Sequence, residues 1–176
     1  MKARVATAWL GGCSGCHMSL LDMDERIIDL ADKIDLVYSP LIDIKEFPEN
    51  VDVTLVEGSV NDSQNEKQIR IIRERTRILV ALGDCAVTGN VPSMRNSLKP
   101  NQVLERAYLE KGNRDPQIPS KGVPQLLPHA DPIHSIVKVD LFVPGCPPSA
   151  DLIHHAITEL LEGRVPDLAT LARFGK

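Results

Sequence analysis

The sequence predicts an α/β fold of the flavodoxin-like kind, an open and mostly parallel sheet with helices on both faces. Three observations carry this expectation. Short apolar runs alternate along the chain with segments of helical periodicity, the pattern produced by right-handed crossover connections. The runs stop where a chain leaving a strand must turn, at Gly11-Gly12, Pro40, Gly58, Gly83 and Pro144-Gly145. The length, 176 residues, suits one domain spanning 1–176.

The first strand is expected over Arg4–Leu10. From His17 to Ile34, the apolar residues Leu20, Leu21, Met23, Ile27, Ile28, Leu30, Ala31 and Ile34 recur at helical spacing with acidic residues between them, so one amphipathic helix is expected. Asp35–Tyr38 and Val51–Val56 read as the second and third strands, the third ending at Glu57-Gly58. Ser63 followed by Glu66 has the pattern of a capping box ahead of Ile69, Ile71 and Ile72, which predicts a helix to about Thr76. Arg77–Leu82 is the fourth strand and ends at Gly83-Asp84-Cys85.

Residues 97–136 carry six prolines and little periodicity apart from a short helix over Gln102–Glu110. They are expected to form a long functional insertion that covers a partner and does not bury itself. Val137–Val143 is the fifth strand, ending at Pro144-Gly145-Cys146, and Ala150–Glu162 is a helix stopped by Gly163. The strand order that fits is 2-1-3-4-5.

Composition narrows the function. Hydrophobic residues make up 43% and charged residues 25%, which excludes a disordered chain or a fibre. Aromatic residues are only 3%, and 20 basic against 24 acidic side chains leave a charge of -4, an unpromising surface for nucleic acid. The longest apolar runs, such as Ile78–Leu82, fall far short of the roughly 18 to 20 residues of a membrane span. Residues 1–13 superficially resemble a lipoprotein leader, but their apolar run is at the short limit of ~7 to 15 residues, so a cytoplasmic location is expected. Four cysteines are too few for a disulfide scaffold and point to metal or redox chemistry.

In an open parallel sheet, ligands gather beyond the carboxyl ends of the strands, where loops converge. Cys13 and Cys16 follow the first strand, Cys85 the fourth and Cys146 the fifth, so all four thiols belong to one edge, with Glu57 beside them. A pair plus two distant singles is not the pair-plus-pair spacing of a zinc ribbon. Four thiolates suit a [4Fe-4S] cluster or a structural zinc, and redox-active or merely buried cysteines also stay open. The chain has enough apolar residues to fold without a metal staple, which favours the cluster.

Trp9-Leu10-Gly11-Gly12-Cys13-Ser14-Gly15-Cys16, Val56-Glu57-Gly58-Ser59-Val60, Gly83-Asp84-Cys85-Ala86-Val87-Thr88-Gly89-Asn90 and Pro144-Gly145-Cys146-Pro147-Pro148 together resemble the small subunit of [NiFe] hydrogenases. The match runs in order from residue 5 to about 160. It is most similar to the short small subunits of the cytoplasmic bidirectional, NAD(P)-linked (Hox-type) enzymes. The resemblance implies a proximal [4Fe-4S] cluster on Cys13, Cys16, Cys85 and Cys146, with Gly12, Glu57, Gly58, Gly83 and Pro147 around it and no catalytic residue in this chain.

It also implies a large partner subunit with the Ni-Fe site and a diaphorase module of flavin/iron-sulfur, NAD(P)-binding subunits. The chain would relay electrons between them in the reversible reaction of H2 with NAD(P)+. No cysteine follows Cys146, so one cluster is expected, with its electrons leaving through a docked protein near the insertion. Gly15 stands where oxygen-tolerant relatives carry an extra cysteine, and Met18 where many relatives have glutamate. The related cluster subunit of respiratory complex I has adjacent cysteines in its first motif, unlike Cys13 and Cys16. That subunit type and a four-cysteine zinc scaffold are the alternatives; FMN in the crevice is possible but not predicted.

Other residues have plainer expectations. Asp84 and Thr88 are expected to orient the loop around Cys85. His17 reads equally as a donor to sulfur or as an exposed residue at a helix start, and Glu57 could instead be a solvated carboxylate. His129, His134, His154 and His155 have no metal-site spacing, and Trp9 reads as a packed or interface aromatic.

Overall fold

The computed structural model describes residues 2–112 and 114–172; Lys176, an expected exposed position, lies outside them. The body is a five-stranded parallel sheet of β1 (Ala3–Trp9), β2 (Ile34–Tyr38), β3 (Val51–Glu57), β5 (Thr76–Leu82) and β7 (Leu141–Val143), in the order β2-β1-β3-β5-β7. Counted along the chain, that is the expected 2-1-3-4-5 order. The alternation of side chains along each strand feeds two cores. Leu79 and Ala81 face one, with Ile69 and Ile72, while Val80 and Leu82 face the other, with Leu152, Ile153 and Ala156.

Helix α3 (Ser63–Arg75) covers the first face. Its N-cap is Asp62, whose carboxylate accepts the Gln64 and Asn65 amides at 2.9 and 2.8 Å. The Ser63-Glu66 capping box is thereby corrected: the better acceptor sits one residue earlier, and Ser63 Oγ accepts the Gln125 amide instead. Helix α7 (Ala150–Leu161) covers the second face, capped by Ser149 and burying Leu152, Ile153, Ala156 and Ile157.

The long helix expected over 17–34 is two helices, α1 (Gly15–Leu21) and α2 (Arg26–Ala31), with Asp24 between them at φ 49°. The apolar spacing is nearly helical throughout, so periodicity alone does not reveal the break. Only Met23 and Leu30 of residues 22–33 are buried.

The insertion is the larger departure. After β5 come α4 (Asp84–Thr88), α5 (Asn90–Ser93) and a 3-10 turn over Met94–Ser97. The short helix expected over 102–110 is present as α6 (Pro100–Leu104), continued by a π-helical segment over Glu105–Glu110. Leu126–Asp131 forms β6, which pairs antiparallel with β4 (Val60–Asp62) in a second, two-stranded sheet. Ala130 and Ile133 are fully buried, so this part of the insertion belongs to the core. The expected fifth strand over 137–143 shortens to three residues, because Ile133–Ser135 is a 3-10 turn and Val137 and Val139 pack on the core.

Candidate functional site

The four sequence motifs meet at the carboxyl edge of the sheet. Past β1 and β3 the chain continues in a paired loop: Leu10 donates to the Glu57 carbonyl, and Gly11 and Ser59 exchange both backbone bonds, all at 2.9 Å. A Cβ on Gly58, at φ 92°, would come within 2.9 Å of the Leu10 backbone, which is why a glycine stands there. This ladder fixes the Cys13-Cys16 loop against Glu57.

On the other side Asp84 ties the third motif to the fourth. Its amide donates to the Gly145 carbonyl at 2.8 Å, and its Oδ1 accepts the Gly145 amide at 2.7 Å. Thr88 Oγ1 donates to the Asp84 carbonyl, so both residues hold the loop as expected. Cys146 precedes a cis proline, Pro147, and Ser19 of α1 donates to the Pro148 carbonyl, joining the first motif to the last.

The thiols gather within these loops. Cys13, Cys85 and Cys146 line a cavity of about 390 Å³ together with Gly11, Gly12, Asn61 and Arg95, while Cys16 is buried in the sheet-side core. A Cβ on Gly83, at φ 81°, would lie 2.2 Å from Cys16 Sγ, so this position tolerates neither the volume nor the backbone of another residue. The Gly15 amide donates to Cys13 Sγ, and Asn90 Nδ2 lies 3.4 Å from Cys146 Sγ. Burial, followed by the charges of Glu57 and the other three thiols, pushes the Cys16 thiol far above its ordinary range. Burial first, then Cys146, Cys13, Glu57 and Asp84, pushes Cys85 up to about 11.

Glu57 is 2% exposed and His17 3%, which overturns both solvent-exposed readings. Glu57 Oε2 accepts the His17 amide at 2.9 Å and faces His17 Nδ1 at 2.6 Å. His17 Nε2 lies 3.0 Å from Thr7 Oγ1, which is 2.8 Å from Ser39 Oγ. This buried polar chain joins the cysteine loop to the sheet; Thr7 and Ser39 carried no signal in the sequence. Trp9 and Met18 stand at the surface, 44% and 58% exposed. His129 is exposed, His154 and His155 are part-exposed on α7, and His134 packs edge-on against Phe142, so none joins the site.

Residues 13–160 match the family model of the NADH ubiquinone oxidoreductase, 20 Kd subunit. The chain is 40% identical over 172 residues to the NAD-reducing hydrogenase HoxS subunit delta of Cupriavidus necator, covering 95% of this chain and 82% of that one. It is 39% identical over 172 residues to a subunit of the F420-non-reducing hydrogenase vhu of Methanocaldococcus jannaschii, covering 97% of this chain but 60% of that one, less than two thirds of its length. The solved structure of an NAD+-reducing [NiFe]-hydrogenase in the H2-reduced state contains a chain that superposes with a TM-score of 0.95 at 40% identity, over 99% of both chains.

Proposed function

The chain belongs to the family of the NADH ubiquinone oxidoreductase 20 Kd subunit, and from its likeness to hydrogenase small subunits within it we propose an electron-relaying subunit of an NAD(P)-linked hydrogenase. Its own part in H2 oxidation is to hold one [4Fe-4S] cluster through Cys13, Cys16, Cys85 and Cys146. The observation that carries this reading is the convergence of four thiols at one sheet edge: Cys13, Cys85 and Cys146 line one cavity of about 390 Å³, and the buried Cys16 interacts electrostatically with all three.

The donor set fits such a group. Burial first, and then the neighbouring negative groups, raises the Cys16 and Cys85 thiols, so the site calls for a cationic centre that accepts their charge and displaces their protons. A structural zinc ion would draw four sulfurs to about 3.8 Å from one another, given Zn–S bonds of about 2.3 Å. Among the described residues, no three of His, Cys, Asp or Glu are gathered closely enough to share a single ion.

When bound, the cluster supplies one-electron transfer between partners. The protein's residues fix where that happens: Asp84 clamps the Cys85 and Cys146 loops, and the Gly58-Ser59 ladder clamps the Cys13 loop. Glu57 and His17 hold the start of α1, where Cys16 enters the core. A large subunit with the Ni-Fe site would cover the cavity mouth, and a diaphorase would collect the electrons. Among the described residues no helix is long and apolar enough to cross a membrane, and the proposed location is the cytoplasm. The test is metal and sulfide analysis with the visible spectrum, followed by Cys→Ala variants. About four iron and four sulfide per chain, lost in each variant, are expected; stoichiometric zinc, or a full cluster kept by two or more variants, would overturn the reading.

A further inference from the structure

We propose that Asn90 and Arg95, neither of them a ligand, set how readily the cluster accepts an electron. The inference rests on the reading of the four thiols as a cluster site. Asn90 Nδ2 points at Cys146 Sγ from 3.4 Å. A cluster-bound thiolate can only accept, so it is the amide N–H that faces it. The contact is built into the loop: Asn90 holds φ 34°, a left-handed backbone that asparagine tolerates better than most residues, and its carbonyl receives the Ser93 hydroxyl at 2.7 Å.

Arg95 lines the same cavity as Cys13, Cys85 and Cys146. Its guanidinium donates to the Asn61 and Pro128 carbonyls at 2.9 and 3.4 Å. Both partners are neutral, and among the described residues no carboxylate pairs with it. The side chain is therefore held by neutral partners at the wall of the cavity that Cys13, Cys85 and Cys146 also line. The acidic groups near the thiols, Glu57 and Asp84, act in the opposite sense.

Reduction adds one negative charge to the cluster and its sulfurs. A hydrogen-bond donor and a fixed cation stabilise that reduced state more than the oxidised one and so raise the potential. Residues 90–95 thus offset the acidic residues of the site, alongside the Gly15 amide that donates to Cys13 Sγ.

The experiment is a redox titration of the full chain reconstituted with iron and sulfide, followed by visible bleaching and by EPR of the reduced cluster. Asn90→Gly removes the donor while keeping the backbone relaxed, and Asn90→Asp replaces it with a negative charge. Arg95→Gln removes the cation, and Arg95→Lys retains it. At the wild-type midpoint, Asn90→Gly and Arg95→Gln should each lower the reduced-to-oxidised ratio about threefold to tenfold. That is a midpoint lower by about 30 to 60 mV at 59 mV per tenfold for one electron.

Asn90→Asp should fall further, and Arg95→Lys should return most of the shift. Variants with full iron and a wild-type midpoint would overturn the proposal. Loss of iron from both variants at a position would assign that residue to the fold instead. A wild-type chain that takes up no cluster would overturn the reading of the site itself, which the iron count separates from a null shift in potential.

Discussion

Glu57 Oε2 is the common partner of the His17 amide and of His17 Nδ1, in a place that water barely reaches. Truncating Glu57 to alanine strands two polar groups of His17, at roughly 1 to 3 kcal/mol each. Glu57→Ala should therefore lose about 3 kcal/mol of stability, and Glu57→Gln, which keeps an acceptor, about 1 kcal/mol. Urea denaturation decides this: equal losses in the two variants would contradict the role given to the carboxylate. Gly83→Ala is the second test at this scale. It combines a positive φ with a Cβ 2.2 Å from Cys16 Sγ, so iron per chain should drop sharply, while alanine at the exposed Gly122, which has nothing within 4 Å, should leave the iron count unchanged. The cysteines and Glu57 were legible because each follows a strand and strand ends share an edge. His17 was only half legible, since its partners Thr7 and Glu57 lie 10 residues back and 40 residues on, and local spacing carries no trace of them.

Strand β7 has only three residues and sits at an edge, so its three-residue ladder to β5 is a weak attachment. Asp140, just before it, reinforces the joint. Its amide donates to the Leu79 carbonyl at 2.9 Å, its Oδ2 accepts the Leu79 amide at 2.8 Å, and Arg73 of α3 donates to the same oxygen. Burial would push the Asp140 carboxyl up, but the Leu79 amide and the Arg73 guanidinium outweigh it and hold the group below its ordinary value. A carboxylate with a depressed folded-state pKa contributes stability above its unfolded pKa of about 3.9 and loses it as pH falls through the lower folded value. Asp140→Asn should thus cost about 1 to 2 kcal/mol near pH 7, a cost that shrinks toward zero as pH falls through the lowered folded-state pKa. Thermal melts of both proteins across that range check it, and a cost independent of pH would contradict it. The same element shows where sequence patterns stop. Strands buried on both faces and the α7 stripe are local and were read correctly, apart from their ends. The β4–β6 pair joins residues 64 to 71 apart through backbone bonds, and the short β7 is defined by its neighbour β5. Neither leaves a periodic signature in its own segment, so the proline-rich stretch looked emptier than it is.

At the scale of the molecule, two sets of exposed apolar side chains stand where a partnered subunit would cover them. Trp9, Met18 and Leu21 belong to the first cysteine motif and α1, and Val91 and Met94 to the segment beyond Cys85, with Val91 lining the cavity mouth. A large subunit seated over the cluster would bury this first set, so Met94→Glu should reduce its copurification about tenfold or more while leaving iron per chain intact. The second set, Tyr108, Leu109 and Val123, belongs to the half of the insertion that packs on itself around a cavity of about 660 Å³ and not on the sheet. If electrons leave through a docked diaphorase there, charging this set weakens the exit without disturbing H2 activation. Leu109→Glu combined with Val123→Glu should cut H2-dependent NAD(P) reduction several-fold. H2-dependent reduction of a small artificial dye should stay near its original rate, since the dye needs no docked protein. These positions lie outside β6, its hydrogen bond to Asn96 and the bond of the neighbouring Gln125 to Ser63, so the change leaves the attachment of the insertion to the body untouched. Equal loss of both activities at constant metal content would assign the surface to the large subunit and move the exit face elsewhere on the molecule.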